Sequence, residues 1–489
     1  MTPFARALLH DRSGVSALTV ALMIIPILGF FGLAIDYGNV LAVRQQLNAA
    51  ADAASLQAIN TARAEILANP NQDSATTQTD AQAAGVRAFN ANAGSAASAV
   101  TGSGPQVSLQ ITDPSTLTLT LTATAAYSAS ASTLLAQVFG TSSFSFSGSS
   151  QSSATMANYV GYYLLVDVSG SMGTPSTLNG QAALATLNTK DMHDSYPQGC
   201  LFACHFAGYV GYTMSRTASS NLYAPQVSGD YCPSPSQSNC IQLRIDAVTT
   251  ALQAFTISAQ EAENYPDQIA VGLYPFIVNV DQYYPTASSG STLSTDLGTI
   301  ASQAGCLPAL LDNGGATNSK TASCPNSVSA NVTMGAGGTH ISNALNQLYG
   351  LIPRPIGDGS GESKRKPVVF LITDGAEDDQ TYSYGNWYGS NHATIVTQSY
   401  CQQLTKAGVL LYILYIPYIT IQPQYFNSSF ANDEDGFANA NIPYIPPSLQ
   451  GCVTSQSNYF VADAYNPQSI TDQIQAMFAQ SLQATRLVK

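Results

Sequence analysis

The sequence predicts two structural regions behind an N-terminal membrane helix: a small α+β region, then an α/β domain with a doubly wound, mostly parallel sheet. Three observations support this fold class. Residues 15–35 carry no charge over 21 positions, residues 106–111 and 116–124 alternate apolar and polar side chains, and apolar runs alternate with helical stretches from Tyr159 onward. Apolar strands that alternate with helices are typical of parallel sheets covered on both faces. A chain of 489 residues has room for about three domains.

Composition indicates an exported protein that does not bind nucleic acid. Charged residues make up 9% of the chain, and the net charge is −13 with only 16 lysines and arginines. Such a chain lacks the basic patch that nucleic-acid recognition requires. All eight cysteines lie between Cys200 and Cys452. An even number of cysteines in an exported chain indicates disulfides.

Residues 15–35 are predicted to form a transmembrane signal anchor. A bilayer-spanning helix needs about 20 apolar residues, whereas the apolar core of a secretory signal has about 7–15. Arg6 and Arg12 precede the segment and Asp36 follows it. By the positive-inside rule, residues 1–14 therefore stay in the cytoplasm and the rest of the chain is exported.

Residues 36–157 are predicted to form the small α+β region. Positions 36–68 are rich in helix formers and can continue the membrane helix as one long rod. An apolar stripe, made mostly of alanine, recurs there at three- and four-residue steps. Its members are Val40, Val43, Leu47, Ala50, Ala54 and Ala58. The stripe either packs on its own domain or brings like subunits together.

The rest of this region is predicted to contain two further helices and a hairpin. Residues 75–92 are expected to form a helix, and residues 132–140 a shorter one. Alternating residues at 106–111 and 116–124 predict two strands joined by a turn at 113–115.

Residues 158–489 are predicted to form the α/β domain. Strands are expected at 160–168, 269–280, 366–374, 409–417 and 458–463, and helices at 241–260, 340–352, 393–408 and 466–486. Residues 174–240 and 281–335 break this alternation, and we interpret them as cysteine-bearing insertions. Proximity favours disulfides between Cys232 and Cys240 and between Cys306 and Cys324, and Cys401 can pair with Cys452, whereas Cys200 and Cys204 stay unassigned.

Polar side chains stand where apolar strands end. Asp167 ends one strand and is followed by Ser169 and Ser171, Asp374 ends another, and Thr339 precedes a helix in GGTHISNAL. Because ligands bind at the carboxyl ends of strands in open α/β sheets, we expect these five residues to converge. Carboxylate and hydroxyl oxygens suit a hard cation such as Mg²⁺, with Mn²⁺ or Ca²⁺ as alternatives. The set contains neither His nor Cys, which argues against zinc.

Neighbouring carboxylates and the scattered histidines complete the prediction for this site. The rim of the site is expected to be acidic because it carries Glu377, Asp378 and Asp379. An acidic rim would repel the carboxylate of a partner, so we expect a partner with basic residues around that carboxylate. The five histidines show no nucleophile–base spacing, and the sequence has no Gly-rich phosphate loop. We therefore expect a binding protein and not an enzyme.

The five residues resemble the metal-ion-dependent adhesion site of von Willebrand factor type A (VWFA) domains. The family pattern is Asp-x-Ser-x-Ser, then a Thr, then an Asp. Asp167, Ser169 and Ser171 match the first element, Thr339 the second, with Thr333 as a rival, and Asp374 the third. The resemblance covers residues 160–485 and departs from the family in the long gap before Thr339. It implies that these residues hold a metal whose shell is completed by a carboxylate of a protein partner.

The N-terminal segment resembles TadE/TadG-like proteins of Flp (tight adherence) pilus assembly. The resemblance covers residues 10–60. Its shared features are an Arg-x-Gly motif before one apolar helix, an Ala-Ile-Asp-Tyr motif at the end of that helix, and a following helix with the pattern Gln-Leu-x-x-Ala-Ala-Asp-Ala-Ala. Thr19 stands where pilin-like members cleaved by a prepilin peptidase have Glu, so we expect an uncleaved anchor.

The second resemblance implies a function and a location. It implies a membrane-anchored component of pilus assembly or surface adhesion, single-pass in a bacterial inner membrane. The bulk of the chain would then lie in the periplasm or at the cell surface, with other pilus-assembly or envelope proteins as partners. The alternative is an envelope scaffold or sensor whose type A domain binds a partner unrelated to pili.

Overall fold

The computed structural model describes residues 13–68, 73–115, 117–187, 241–305, 307, 334–335, 337–383, 386–389, 392–418, 420 and 434–485. These residues divide into two compact units. The first comprises the described residues up to Pro114 together with Thr118–Met156, and the second comprises Ser115–Leu117 and the described residues from Ala157 onward. Several residues singled out in the sequence lie outside the described ranges: Cys200, Cys204, Cys232, Cys240, Cys306, Cys324 and Thr333.

A single long helix dominates the first unit. Helix α1, Ser13–Ala68, runs for 56 residues with Pro26 inside it, so the predicted membrane helix and the helix after it form one rod. Among the described residues, α1 is the one helix long and apolar enough to cross a membrane. In its apolar half, large side chains such as Phe30 and Phe31 are exposed.

The alanine stripe of α1 packs against a second helix of the same unit. Helix α2, Ser74–Ala93, lies along α1, and Ala54 and Ala58 are fully buried. At Gly85 of α2 an added Cβ would lie 3.0 Å from the carbonyl oxygen of Ala54, so only a residue without a side chain allows this approach. Of the two interpretations of the stripe, packing within its own unit is the one observed.

A three-stranded sheet completes the first unit. Strands β1 (Gln106–Ser115), β2 (Thr118–Ser132) and β3 (Ser143–Ala157) pair in that order. The turn between β1 and β2 falls after residue 115, later than predicted. Alternate residues of β2 are buried, as expected for a half-buried strand.

The second unit is built on a five-stranded parallel sheet. Its elements are β4 (Val160–Asp167), α3 (Leu178–Leu187), α4 (Arg244–Ala262), β5 (Ile269–Phe276), α5 (Leu297–Ala304), α6 (Ile341–Leu351), β6 (Lys366–Thr373), β7 (Thr381–Ser383), β8 (Asn386–Tyr388), α7 (Gln398–Lys406), β9 (Leu410–Tyr415), α8 (Glu434–Asn441), α9 (Ile445–Gln450), β10 (Tyr459–Val461) and α10 (Pro467–Ala484). The sheet order is β10-β9-β6-β4-β5, and all four pairings are parallel.

Helices cover both faces of this sheet. On one face Tyr162 and Leu164 of β4 pack in a core with α4 and α10. On the other, Tyr163 and Leu165 pack in a core with α6 and α7. Successive residues of a strand point to opposite faces, and every residue of β4 is buried. The central strand is therefore apolar throughout because both of its faces lie in a core.

The structure differs from the predicted elements at several positions, among them strands β7 and β8, which were not predicted. Helices α3 and α5 lie inside the stretches interpreted as insertions. Helix α7 begins at Gln398 and not at residue 393, because Thr394 pairs through its backbone with Glu377. Helices α8 and α9 were not predicted. The disulfide suggested between Cys401 and Cys452 is present and ties α7 to the residues after α9.

Candidate metal centre

The strand order places two predicted ligands at one gap in the sheet. The chain leaves β4 for β5 on one side and later adds β6 on the other side of β4. In open α/β sheets, such a reversal opens a crevice at the carboxyl ends of the strands, where ligands bind. Asp167 ends β4, and Asp374 directly follows β6. The two carboxylates therefore stand on adjacent strands at this crevice.

Hydrogen bonds hold the Asp167 carboxylate in place. Its Oδ1 accepts the backbone N–H of Ser169 at 3.0 Å, and its Oδ2 accepts the hydroxyl of Thr373 at 2.6 Å. The Thr373 hydroxyl in turn accepts the backbone N–H of Gly375 at 2.9 Å. Thr373 was not among the predicted site residues, yet it links the ends of β4 and β6.

The two serines lie beside Asp167 in a short 3₁₀ turn. This turn, Gly170–Gly173, starts directly after Ser169, whose side chain does not cap it. The hydroxyl oxygens of Ser169 and Ser171 lie 3.2 Å apart, and both residues are buried. The DVSGS stretch thus gathers one carboxylate and two hydroxyls at the end of β4.

Asp374 is a fully buried carboxylate at the end of β6. Its side chain is fully buried, and neither oxygen has a hydrogen-bond partner among the described residues. Gly375 follows with φ of +79°, a conformation that favours glycine, and an added Cβ would lie 2.5 Å from Ile445. The tight turn keeps Asp374 inside the protein at the end of β6.

Burial raises the pKa values of both carboxyl groups. Burial, and then the negative charge of Asp167, raise the pKa of Asp374 to about 7, although the charge of Arg244 opposes this shift. Burial also raises the pKa of Asp167, against the hydrogen bonds from Thr373 and Ser169. Two neighbouring carboxylates disfavour each other's charge, and a bound cation would relieve that repulsion.

Arg244 is a second residue of the site, after Thr373, that the sequence analysis missed. It is the first residue of α4 and is fully buried, with Nη1 3.8 Å from Oδ2 of Asp374. Its Nη2 donates to the carbonyl of Pro417 at 2.8 Å, whereas Nε and Nη1 find no hydrogen-bond partner in the part of the chain that the structure describes. A cation at a helix N-terminus is disfavoured by the helix dipole. The position of Arg244 in the first turn of α4 therefore could have indicated, from the sequence alone, that it has a negatively charged partner.

Thr339 lies on a loop that packs against the segment after Asp374. Its carbonyl accepts the backbone N–H of Asp378 at 3.0 Å, and the residue is buried. A Cβ at Gly338 would clash with Asp378, so the glycine allows the two loops to meet. The hydroxyl of Thr339 makes no hydrogen bond within the described ranges, and its backbone bond is to Asp378 and not to one of the other four predicted ligands.

The predicted acidic rim is wrong for Glu377. This residue is 2% exposed, and its carboxylate accepts the N–H of Ser342 at 3.0 Å and the Ser342 hydroxyl at 2.8 Å. Glu377 therefore satisfies the start of α6, where a negative charge is favourable. Asp379 does reach the surface, 3.8 Å from Nδ1 of His340.

The residues at the crevice fit a hard cation. Among the described residues, no three His, Cys, Asp or Glu side chains are grouped to hold a metal. The crevice instead offers two carboxylates and two serine hydroxyls, and no described residue donates a hydrogen bond to the two buried oxygens of Asp374. An all-oxygen set with few carboxylates suits Mg²⁺.

The chain is distantly similar to several solved structures, and no curated protein matches it. The pilus adhesin SpaC from Lactobacillus rhamnosus GG is 14% identical, with a TM-score of 0.30, over 77% of this chain and 34% of the adhesin. The PilB minor pilin from Streptococcus sanguinis is 9% identical, with a TM-score of 0.31, over 78% and 79% of the two chains. The vWF domain of the type V pili tip protein Mfa5 from Porphyromonas gingivalis is 9% identical, with a TM-score of 0.30, over 66% and 96%. TM-scores this low establish neither fold nor function.

The N-terminal segment has a family match. Residues 14–64 match the family of Flp pilus-assembly TadE/G-like proteins, which agrees with the resemblance noted over residues 10–60. The match includes the apolar half of α1 and all six residues of its alanine stripe. The chain is therefore similar to the Flp pilus-assembly TadE/G-like family over residues 14–64.

Proposed function

We propose that the protein is a membrane-anchored component of Flp (tight adherence) pilus assembly or surface adhesion that binds a protein partner through a divalent cation. The similarity to the TadE/G-like family over residues 14–64 supports the link to pili. The apolar half of α1 supports a single-pass anchor in a bacterial inner membrane. Arg6 and Arg12 favour a cytoplasmic N-terminus, so the second unit would face the periplasm or the cell surface.

The observation that carries the proposed metal site is the buried carboxylate of Asp374, which accepts no hydrogen bond from the described residues and lies beside Asp167. A buried carboxylate costs several kcal/mol unless it is paired or binds a metal. Arg244 compensates only in part, because its Nη1 is 3.8 Å away, beyond hydrogen-bond distance. We assign Asp167, Ser169, Ser171 and Asp374 as ligands of Mg²⁺, with Mn²⁺ or Ca²⁺ as alternatives, and Thr339 as a fifth.

The roles of the residues follow from their contacts. Thr373 and the backbone of Ser169 orient the Asp167 carboxylate, and Arg244 partly offsets the negative charge of the site. When bound, the cation supplies a positive centre that a carboxylate of the partner can approach. The type A resemblance of residues 160–485 supports this mode, and with it a role in binding instead of catalysis.

Calorimetry on the full-length protein in detergent tests the metal site. We expect Mg²⁺ or Mn²⁺ to bind to the unmodified protein, and binding to be lost in the Asp167→Asn and Asp374→Asn double variant. Asp472→Asn is the control, because Asp472 is exposed on α10 and hydrogen-bonds only to Gln468 at 2.9 Å. A double variant that binds the metal as well as the control does would refute the assignment.

A pull-down from envelope extracts tests the partner. We expect pilus-assembly proteins to be retained with Mg²⁺ present and lost after addition of EDTA. Retention of the same proteins in EDTA would refute a metal-dependent contact. Retention of envelope proteins unrelated to pili, again only with the metal, would support the scaffold or sensor alternative.

A further inference from the structure

We propose that residues 134–138, between β2 and β3, form a second membrane contact that enters the lipid interface beside α1. We call them the 134–138 loop. The proposal rests on the proposed anchor, because it places the loop at the depth of the last turn of the membrane-spanning segment. The occupant is lipid at the boundary between headgroups and acyl chains.

The 134–138 loop exposes large apolar side chains. Leu134 is 76% exposed, Leu135 45% and Val138 81%. The sequence predicted a short helix at 132–140, but the structure has only a 3₁₀ turn, Ala136–Phe139, which leaves these side chains outside the core. Clustered exposed apolar residues mark interaction sites, whereas single ones do not.

Asp36 holds the loop against α1. Its Oδ1 accepts the N–H of Leu134 at 3.0 Å, and its Oδ2 accepts those of Leu135 at 2.9 Å and Ala136 at 2.7 Å. One turn earlier on α1, a Cβ at Gly32 would lie 2.8 Å from Cβ of Leu135. The loop is therefore fixed at the level of Gly32 to Asp36.

This level lies at the end of the predicted membrane span. Gly32 is about 6 Å along the helix from Asp36, and each interfacial layer of a bilayer is about 5–8 Å thick. Phe31 and Ile35, in the same turn of α1, are 65% and 54% exposed. The exposed surface of the loop thus continues the exposed surface of the membrane helix, and lipid is the solvent that would cover both.

Charge at this level is consistent with lipid contact. No charged residue occurs between Asp113 and Asp167. The one carboxylate at the loop, Asp36, is 2% exposed and fully engaged by three backbone N–H groups. A charge satisfied in this way can lie near lipid, whereas an unpaired one is strongly disfavoured.

Quenching by brominated lipid tests the loop in the full-length protein. The chain has one tryptophan, Trp387, so each probe is introduced into a Trp387→Phe background. The vesicles contain phosphatidylcholine and phosphatidylglycerol, with or without bromine on the acyl chains. Three probes are compared: Leu134→Trp in the loop, Phe30→Trp in the anchor and Leu56→Trp at an exposed position of α1 about 30 Å beyond Asp36.

The three probes separate failure of the loop from failure of the anchor. We expect bromine to quench both Leu134→Trp and Phe30→Trp and to leave Leu56→Trp unchanged. Quenching of Phe30→Trp alone would overturn the membrane contact of the loop while leaving the anchor standing. Quenching of neither would overturn both. Equal quenching of all three would overturn the depth assigned to the loop.

Discussion

Replacing Arg244 by Met tests whether the candidate metal centre balances charge as the structure indicates. Arg244 and Asp374 are both fully buried, with Nη1 and Oδ2 3.8 Å apart. At an effective dielectric constant of about 20, their attraction amounts to about 4 kcal/mol. Removing one partner of a buried pair typically costs about 3–5 kcal/mol, because the remaining charge stays desolvated. We expect Arg244→Met to lower the free energy of unfolding of the second unit by that amount at pH 8 in EDTA.

Urea unfolding followed by tryptophan fluorescence measures this loss. Trp387, in β8, reports on the second unit. Arg354→Met is the matched control, because Arg354 lies at the surface over the ring of Tyr349 at 3.9 Å, and its loss should cost less than about 1 kcal/mol. Adding Mg²⁺ should restore stability to Arg244→Met, by about 2.7 kcal/mol at 100 times the Kd. A loss in Arg244→Met no larger than in the control would refute the reasoning.

Three further predictions concern pH, the disulfide and helix packing. Burial raises the pKa of Glu377 to about 7 from 4.5, so its contribution to stability is present below pH 4.5 and lost as pH rises to about 7. Glu377→Gln should remove a fall of about 3 kcal/mol between pH 5 and 8 in urea titrations, and an unchanged pH profile would contradict this. Cys401 and Cys452 close a loop with a sequence separation of 51. Replacing both by Ala should cost about 4 kcal/mol by the loop-entropy estimate, measured as the urea midpoint without reductant; no shift relative to wild type would count against it. Gly85→Ala should destabilise the first unit by about 1–3 kcal/mol, since its Cβ would lie 2.8 Å from Val107, whereas Gly38→Ala on α1, with open space around it, should stabilise by about 0.5–1 kcal/mol. Thermal unfolding by circular dichroism that moves both glycine variants in the same direction would disprove the packing argument.

The predictable parts of the fold were those with a strong local pattern. The apolar runs of β4 and β6 located Asp167 and Asp374 at strand ends, because a strand buried on both faces reads as an unbroken apolar stretch. The alanine stripe marked the packed face of α1 for a similar reason, since its period matches the helix.

The parts that could not be predicted depend on contacts distant in sequence. Arg244 lies 3.8 Å from Asp374 although 130 residues separate them in the sequence. The residues around each of them give no indication of this contact. Glu377 looked like part of a solvated acidic run, but its role at the start of α6 depends on where Ser342 lies. Residues 393–397 were expected to be helical, but Thr394 pairs with Glu377 instead, and a run of β-branched residues there favours the extended form.

The continuity of α1 has a mechanical consequence. The residues of α1 after Asp36 span about 50 Å at 1.5 Å per residue, and the same helix supplies buried residues to the core of the first unit. The described residues contain no flexible joint between the apolar half of α1 and that core. A rotation or axial displacement of the apolar half of α1 would therefore move the core of the first unit with it as one rigid body. Conversely, a pull on the first unit would be transmitted along the helix to its apolar half.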